Sequence, residues 1–574
     1  MKPLSGKPRI YFNQEWNMLK LPYGISYFET LVSENYHFID RTPFLEKLEN
    51  QPERYLVFLR PRRFGKSLWI SILHHYYGLE YKDRFEALFG KYWIGQHPTP
   101  RANSYHILRF EFSRINTDTP ESTKEGFLFN VKQGIVHFEH QYGIPHQSFD
   151  DVSEPAHVLH EFLSMHGDKK IYLLIDEYDH FANEILGFRF DHFSDMVSRN
   201  GFVRKFYEAI KEATGRGIVD RLFITGVSPI TMDSLTSGFN IIKQLTLHKN
   251  FHNMLGFTEP EVQTILQGVG CSEAQLPQVM EDMKKWYNGY RFEPDSQRLY
   301  NPDMVLYFAN EYLVECQYPR VMLDVNIASD YGKLRRLFDL KNQAQNYDVL
   351  YRLIQDGFVS AELTQQFSFE KRFNDQDFIS LLFYLGLISI DQLLGNALQF
   401  KIPNYVMEGL YLKFFAEVLE TQTGVEHQIL KIHDAMLKMA YDNQPEPFLK
   451  LIEAELMALS NRDFIKFDEK YVQLLFVTFC RLSDLYFVKS QPEVTQKYPD
   501  VLLLHRPPFF PTCQFLFEFK YLKKASKAKQ EQVLKDTEIQ VQTYLQNEEI
   551  RQISNLKSYV VLFVGAKLKA LKEQ

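Results

Sequence analysis

Between Tyr55 and Leu73 the chain reads YLVFLRPRRFGKSLWISIL, and no other stretch limits the fold as tightly. YLVFLR is a short run of strand formers stopped by Pro61, and SLWISIL spaces its apolar residues for a helix, so the order is strand, loop, helix. Two more apolar runs follow the same plan. KKIYLLIDEYD, from Lys169 to Asp179, ends in three carboxylates, and DRLFITGVSPI, from Asp220 to Ile230, ends in small polar residues. Strands apolar on both faces and separated by helical patterns such as FSDMVSRNGFVRKFYEAIKEAT predict βαβ units and a parallel sheet over residues 1–255.

Beyond this α/β region, FTEPEVQTILQGVG opens on a Thr258 to Glu261 capping box. Segments around DMKKWYNGYRF and NPDMVLYFANEYL extend the helical pattern. The expectation is a helical lid over 256–345 and a helical middle region over 346–455. Residues 456–574 change character: a helix near DEKYVQLLFVTFCRLSDLYF, strands PDVLLLH and CQFLFEFKYL, a helix around EIQVQTYLQ and a strand SYVVLFVG make a second α/β unit. A length of 574 residues suits several domains, and a 45% hydrophobic, 15% aromatic composition can fill their cores.

The net charge of -7 excludes a chain that coats nucleic acid by bulk electrostatics and leaves room only for a regional basic face. Cys271, Cys316, Cys480 and Cys513 form no CxxC pair, which argues against a disulfide framework or a cysteine zinc site and for a reducing compartment. No apolar run reaches the roughly 18 residues of a membrane span, and MKPLSGKPRIYFNQEW lacks a signal-peptide core. A cytoplasmic protein with no membrane contact is expected.

The loop RPRRFGKS departs from the pattern G-x-x-x-x-G-K-[ST], because Arg60 stands where the first Gly belongs. Gly65, Lys66 and Ser67 supply the second half of that device, in which backbone N–H groups and a helix N-terminus converge on phosphates. The candidate nucleotide-binding segment is Arg62, Arg63, Phe64, Gly65, Lys66, Ser67 and Leu68, its arginines raising the positive potential. Asp176 would share a Mg²⁺ shell with Ser67, and Glu177 would polarise the attacking water. Thr225 and Ser228 would stand beside the γ-phosphate, with an ordinary polar strand end as the alternative. ATP is favoured over GTP because no N-K-x-D sequence occurs.

These residues resemble the AAA-ATPase-like family, typified by an RPRRFGKS loop, a LIDEYD strand, a TGxS strand end and a WYNGY segment. Here they are Arg60 to Ser67, Leu174 to Asp179, Thr225 to Ser228 and Trp286 to Tyr290. The family loop also lacks the first Gly, so the resemblance makes Arg60 a family trait. The segment LPYGISYFETLVSENYHFIDRTPFLEKL, with Tyr36, Asp40 and Thr42, looks like the family's lead-in, read as packing or as a nucleotide contact.

At the far end, residues i and i+2 of a strand share a face, so Glu518 and Lys520 in EFK can hold a metal ion and steer water together. Asp500 begins the preceding strand, Glu469 lies in the helix before it, and Gln540 to Tyr544 reads QVQTY. This set is similar to PD-(D/E)XK nucleases with the Q-x-x-x-Y signature of RecB-like members. The resemblance implies Asp500, Glu518 and Glu469 as ligands of Mg²⁺ or Mn²⁺, with Lys520 and Gln540 completing the catalytic group. The run KYLKKASKAK would meet a phosphate backbone; a solvated helix face is the bland reading.

The expected function is an ATP-hydrolysing protein coupled to a metal-dependent nuclease acting on nucleic acid, DNA first, in a setting such as defence against foreign DNA. The alternative is a non-cleaving ATP-switched binding platform. A small-molecule kinase is disfavoured by Glu177 after Asp176, and a metal site on His137, His140 and His146 by the lack of a further ligand. Homo-oligomerisation would let Arg204, Arg216 or Arg221 act as an arginine finger.

Overall fold

Strand β1 (Tyr55–Leu59) is buried from Leu56 onward, and its last residues run into the loop that opens helix α1 (Lys66–Tyr77). Three further parallel strands, β2 (His106–Glu111), β3 (Ile171–Asp176) and β4 (Val219–Gly226), and the short β5 (Lys243–Gln244) complete a sheet of order β2-β3-β4-β1-β5. This is the doubly covered parallel sheet that the apolar runs predict. In this computed structural model the described residues are 19–182, 196, 201–230, 241–324, 327–328, 334–340, 343–367, 373–424, 426–459, 468–490 and 499–574. They fall into two units, Met1–Gln317 with Gln365–Lys371 and Tyr384–Gly386, and Tyr318–Thr364 with Arg372–Phe383 and Leu387–Gln574.

In the first unit, α1 lays Trp69, Ile70, Leu73, Tyr76 and Tyr77 on Leu56, Phe58, Tyr172 and Leu174 of the sheet. Each such side chain contributes about 1.5–3 kcal/mol by leaving water. The opposite face is closed by α2 (Pro120–Gln141), α3 (Pro155–Met165) and α4 (Phe202–Gly215), where Phe112 stacks on Phe127 at 4.3 Å and Phe206 meets both edge-on. Strands β2 and β5 were not legible in the sequence: β5 has two residues, and in β2 Arg109 and Glu111 break the apolar run. Helices α5 (Glu259–Gly268), α6 (Leu276–Tyr287) and α7 (Pro302–Glu315) follow. The Thr258 capping box is present, and Glu261 also receives a two-pronged ion pair from Arg41, at 2.5 and 2.8 Å.

The second unit contains α8 (Tyr405–Thr423), α9 (Ile429–Asp442), α10 (Glu446–Leu459) and α11 (Glu469–Ser483), which share one core with a five-stranded sheet. That sheet has the order β13-β12-β11-β10-β9, numbered after a smaller sheet of β6 (Val359–Ala361), β7 (Ser389–Leu394) and β8 (Ala397–Lys401). The smaller sheet corrects the purely helical reading of the middle region. Its β7–β8 hairpin turns at Gly395, whose φ of 62° is the left-handed value such turns demand. In the larger sheet β9 (Tyr486–Ser490), β10 (Val501–His505) and β11 (Gln514–Leu522) are antiparallel neighbours, β12 (Leu556–Val564) runs parallel to β11, and β13 (Lys567–Glu573) closes the edge. Phe476 of α11 meets Phe517 and Phe519 at 4.9 and 5.0 Å on one face, while α12 (Lys527–Tyr544) covers the other with Leu534, Val541 and Tyr544.

Arg60 explains the departure of the loop from the glycine pattern. Its side chain is 1% exposed and donates to the carbonyls of Leu59, Thr246, Phe251 and His252, at 2.9, 2.9, 3.4 and 3.0 Å. The guanidinium is also sandwiched between Phe58 and Phe292, 4.2 and 4.0 Å from the ring centres. Replacing Arg60 by Ala should destabilise the first unit by about 3 kcal/mol by orphaning buried carbonyls and opening a cavity. Urea unfolding followed by tryptophan fluorescence checks this, because Trp16, Trp69, Trp93 and Trp286 all precede residue 318.

Candidate active sites

The loop between β1 and α1 has positive φ at Arg63 (66°) and Gly65 (90°), a way to turn successive N–H groups to one side as in anion-binding nests. Gly65 is the residue before the first helical one, Lys66, so the helix N-terminus opens there. Lys66 is 7% exposed and its ammonium donates to the Pro61 carbonyl at 3.0 Å. Burial lowers its pKa, with Glu177, Asp179 and Asp176 pulling the other way. Arg62 is half-buried, Arg63 exposed and Leu68 half-buried against the core. Phe64 turns the other way: it is 1% exposed and packs edge-on to Tyr290 and Phe292 at 5.1 and 5.6 Å, so its ring is a packing element and only its backbone faces the loop.

Strand β4 lies between β1 and β3, so the acidic strand end faces the loop across the end of β4. Asp176 closes β3 at 1% exposure; Ser67 lies close enough to favour its charged form, and its Oδ1 is buried without a hydrogen-bond partner. Burial raises its pKa to about 6 against the pull of Arg109 and Ser67. Glu177 has a φ of 51°, a costly backbone state for Glu, and its Oε2 lies 3.3 Å from His180 Nδ1. Asp179, to which the sequence had given no role, accepts from Val227 N, Ser228 N and Ser228 Oγ at 3.0, 2.7 and 2.9 Å. The Ser228 hydroxyl is thus engaged by Asp179, and that of Thr225 donates to the Phe58 carbonyl at 3.0 Å inside the sheet. Both hydroxyls hold the strand end together. Asp40 and Thr42 serve the lead-in, bonding to the backbone of Trp93 and Ile94 at 2.8 and 3.1 Å.

Arg221 lies near the start of β4, 3% exposed among Tyr77, Tyr105 and Tyr172, and Arg216 caps the end of α4. Parallel topology puts both at the edge away from the loop, which leaves Arg204, in the first turn of α4, on the loop side. His137 and His140 are exposed and His146 pairs with Glu139 at 2.7 Å. Among the described residues no three His, Cys, Asp or Glu side chains form a ready-made cation site.

In the second unit Asp500 immediately precedes β10, and Val501 pairs with Phe517, which sets Asp500 beside Glu518. The Asp500 N–H donates to Glu518 Oε2 at 3.2 Å, and Asp500 Oδ2 accepts from Phe519 N at 2.7 Å. Lys520 Nζ bridges Glu469 Oε1 and Glu518 Oε1, both at 3.1 Å, and reaches the Phe519 carbonyl at 2.9 Å. Glu469 is therefore held by the lysine. Burial and then the neighbouring Glu518 charge push Asp500 up to about 7, and burial raises Glu518 as well. Burial works against the Lys520 ammonium, but Glu518, Asp500 and Glu469 outweigh it and raise its pKa. Gln540 donates to the hydroxyl of Tyr544, whose pKa burial raises with help from the Glu518 and Asp500 charges, so α12 borders the same carboxylates.

Residues 22–236 match the family model described as "Predicted AAA-ATPase", and residues 467–573 match that of the PD-(D/E)XK nuclease superfamily. The chain joins an AAA-ATPase-like domain to a PD-(D/E)XK nuclease-superfamily domain. A relative from Azotobacter chroococcum mcd 1, described as an uncharacterized protein in the vnfD 5' region, is 24% identical over 443 residues, 72% of this chain and 75% of its own length. Among solved structures, a Walker-type ATPase of Pyrococcus abyssi aligns with 69% of this chain and 99% of its own at 14% identity and a TM-score of 0.36. The ORC2 protein of Aeropyrum pernix covers 69% and 96% at 8% identity and a TM-score of 0.32. Overlaps this loose bear no weight, and the fold of the AAA-ATPase-like domain rests on its own sheet.

Both domains offer oxygen donors suited to Mg²⁺, which needs only one or two carboxylates beside water and substrate phosphates. In the AAA-ATPase-like domain the fit is the unpartnered Asp176 Oδ1 beside Ser67; in the nuclease-superfamily domain it is two adjacent carboxylates whose pKa values burial raises, that of Asp500 further by the Glu518 charge. The folded pair retains protons that the unfolded chain, with carboxyl pKa values of about 4, has released. The metal-free nuclease-superfamily domain should therefore lose stability as pH rises from about 4 through about 7. Asp500→Asn should recover about 2 kcal/mol at pH 7 in EDTA, read by urea denaturation across that pH range.

Proposed function

We propose that the chain binds and hydrolyses ATP on the AAA-ATPase-like domain and uses the nuclease-superfamily domain to hydrolyse phosphodiester bonds of nucleic acid, with DNA as substrate. The observation that carries this reading is that one chain holds two separate buried carboxylate sites, each with its own lysine nearby: Asp176 with Lys66, and Asp500 and Glu518 with Lys520.

At the first site the α1 N-terminus and Lys66 bind the phosphates, and Ser67 and Asp176 hold Mg²⁺. Glu177, kept at its tight turn beside His180, orients and deprotonates the attacking water. Thr225 and Ser228, bonded as they are to Phe58 and Asp179, keep the β4 end in place next to it. At the second site Asp500 and Glu518 hold Mg²⁺ or Mn²⁺, which supplies charge stabilisation to the phosphate under attack. Lys520 orients water, Glu469 positions Lys520, and Gln540 with Tyr544 lines the approach. Lys523, Lys524, Lys527 and Lys529 are exposed just beyond and meet the phosphate backbone. A role against foreign DNA and self-association are part of this proposal, and nothing in the described residues requires a membrane, since no helix among them is long and apolar enough to cross one.

A second reading has one observation in its favour: the Lys520 ammonium bridges Glu469 and Glu518, as it would in a site that grips nucleic acid without cutting it. Cleavage of single- and double-stranded DNA with Mg²⁺ or Mn²⁺, with and without ATP, separates the two. Asp500→Ala or Lys520→Ala should lower cleavage at least ~100-fold and leave ATP hydrolysis intact. Lys66→Ala should abolish nucleotide binding, and Glu177→Gln should retain ATP while hydrolysing it at least ~100-fold more slowly. A wild-type chain that cuts neither substrate under any of these conditions establishes the gripping role instead.

A further inference from the structure

Arg109 is a cation at the nucleotide edge to which neither the loop nor the acidic strand assigns a task. It lies on β2, where it pairs with Leu174 while Glu111 pairs with Asp176. Paired residues of parallel strands share a face, and Leu174 packs with Trp69, Ile70 and Leu73 of α1. Arg109 is therefore on the face where the phosphate loop opens. Its Nη2 is 3.8 Å from Asp176 Oδ2 and 3.4 Å from Glu111 Oε2, and the side chain is 28% exposed. The Glu111 contact is a long hydrogen bond and the Asp176 contact an ion pair beyond hydrogen-bond range, whereas a settled charge-assisted bond closes to about 2.7–2.9 Å. The guanidinium is held nearby without being used up.

The arrangement along the edge gives this cation a direction. Ser67, at the head of α1, neighbours Asp176 on the loop side, and Arg109 approaches Oδ2 of the same carboxylate from the β2 side, while Asp176 Oδ1 is buried and unpartnered. Lys66, Arg62 and Arg63 all belong to the loop. A phosphate chain that starts at the α1 N-terminus and extends toward Asp176 brings its last phosphate to the side that the loop cations do not cover. We propose that Arg109 contacts the terminal phosphate of a nucleoside triphosphate and so makes the site distinguish triphosphate from diphosphate. The assignment rests on the nucleotide-binding reading above and deepens it.

The test uses the full chain and measures, by isothermal titration, the Kd of ADP and of an ATP analogue with a non-hydrolysable β–γ bridge, in Mg²⁺ and again in EDTA. Arg109→Ala should weaken the analogue about 10–100-fold, the worth of one charge-assisted contact, and leave ADP within about 2-fold. The same selective loss should persist in EDTA, because the contact is to phosphate and not through the ion. Arg109→Lys should retain part of the preference, and Arg109→Gln gives a polar variant should the alanine form fold poorly. Equal weakening of both nucleotides, or a loss that disappears in EDTA, would mean that Arg109 merely balances the Asp176 charge, and an unchanged analogue affinity would equally overturn the assignment. A wild-type chain that binds neither nucleotide brings down the ATPase reading itself. Wild-type binding of both, matched by the Arg109 variants, removes only Arg109.

Discussion

A parallel sheet covered on both faces can carry polar side chains only where its strands end, and the loop-side edge of the AAA-ATPase-like domain must then be fixed without help from bulk water. Two buried charged groups do this. Arg60 spreads its guanidinium over carbonyls at 59, 246, 251 and 252, tying the exit of β1 to the chain beyond β5. Asp179 accepts three donors from Val227 and Ser228 and so clamps the end of β3 to the end of β4. The clamp also explains Gly226: a Cβ there would lie 2.2 Å from Asp179 Oδ1, so the close approach of the two strand ends excludes any side chain. With those ends fixed, Lys66 and Ser67 at the start of α1 come to the same edge as Asp176 although β4 lies between β1 and β3.

The aromatic residue of the loop ties a second set of motifs together. Phe64 and Arg60 both reach Phe292, and Phe64 also meets Tyr290, the last residue of WYNGY. A loop whose backbone must stay open to a ligand on one side is thus anchored by an aromatic cluster on the other. Burial of Phe64 at 1% exposure supplies about 1.5–3 kcal/mol to that anchoring. The pairing of RPRRFGKS with WYNGY in one chain has this packing as its physical reason.

The two acidic sites solve different electrostatic problems. Asp176 is a single buried carboxylate with a hydroxyl and a loosely held guanidinium for company, so its strain is mainly desolvation. Asp500 and Glu518 add mutual repulsion to burial, and the Lys520 ammonium compensates it from the side of Glu469. A dication is a better partner for two adjacent carboxylates than one monovalent ammonium can be. The helix carrying Gln540 and Tyr544 packs Leu534, Val541 and Tyr544 across β11 and β12, which brings Tyr544 near enough to feel the charges of the same carboxylates.

The sequence by itself determined the order of strand, loop and helix around Gly65, the apolar strand ending in Asp176, and the i, i+2 pairing of Glu518 with Lys520. Each of these follows from local periodicity and chain stereochemistry, which neighbouring residues fix. It did not determine where the second half of each interaction lies. That Phe64 turns to Tyr290, that Thr225 bonds Phe58, that Ser228 serves Asp179 and that Glu469 holds Lys520 are contacts between residues up to 226 positions apart, created only when strands and helices pack. Arg109 stayed hidden for the same reason: on paper it is one polar residue in a short strand, and only the register of β2 against β3 sets it beside Asp176.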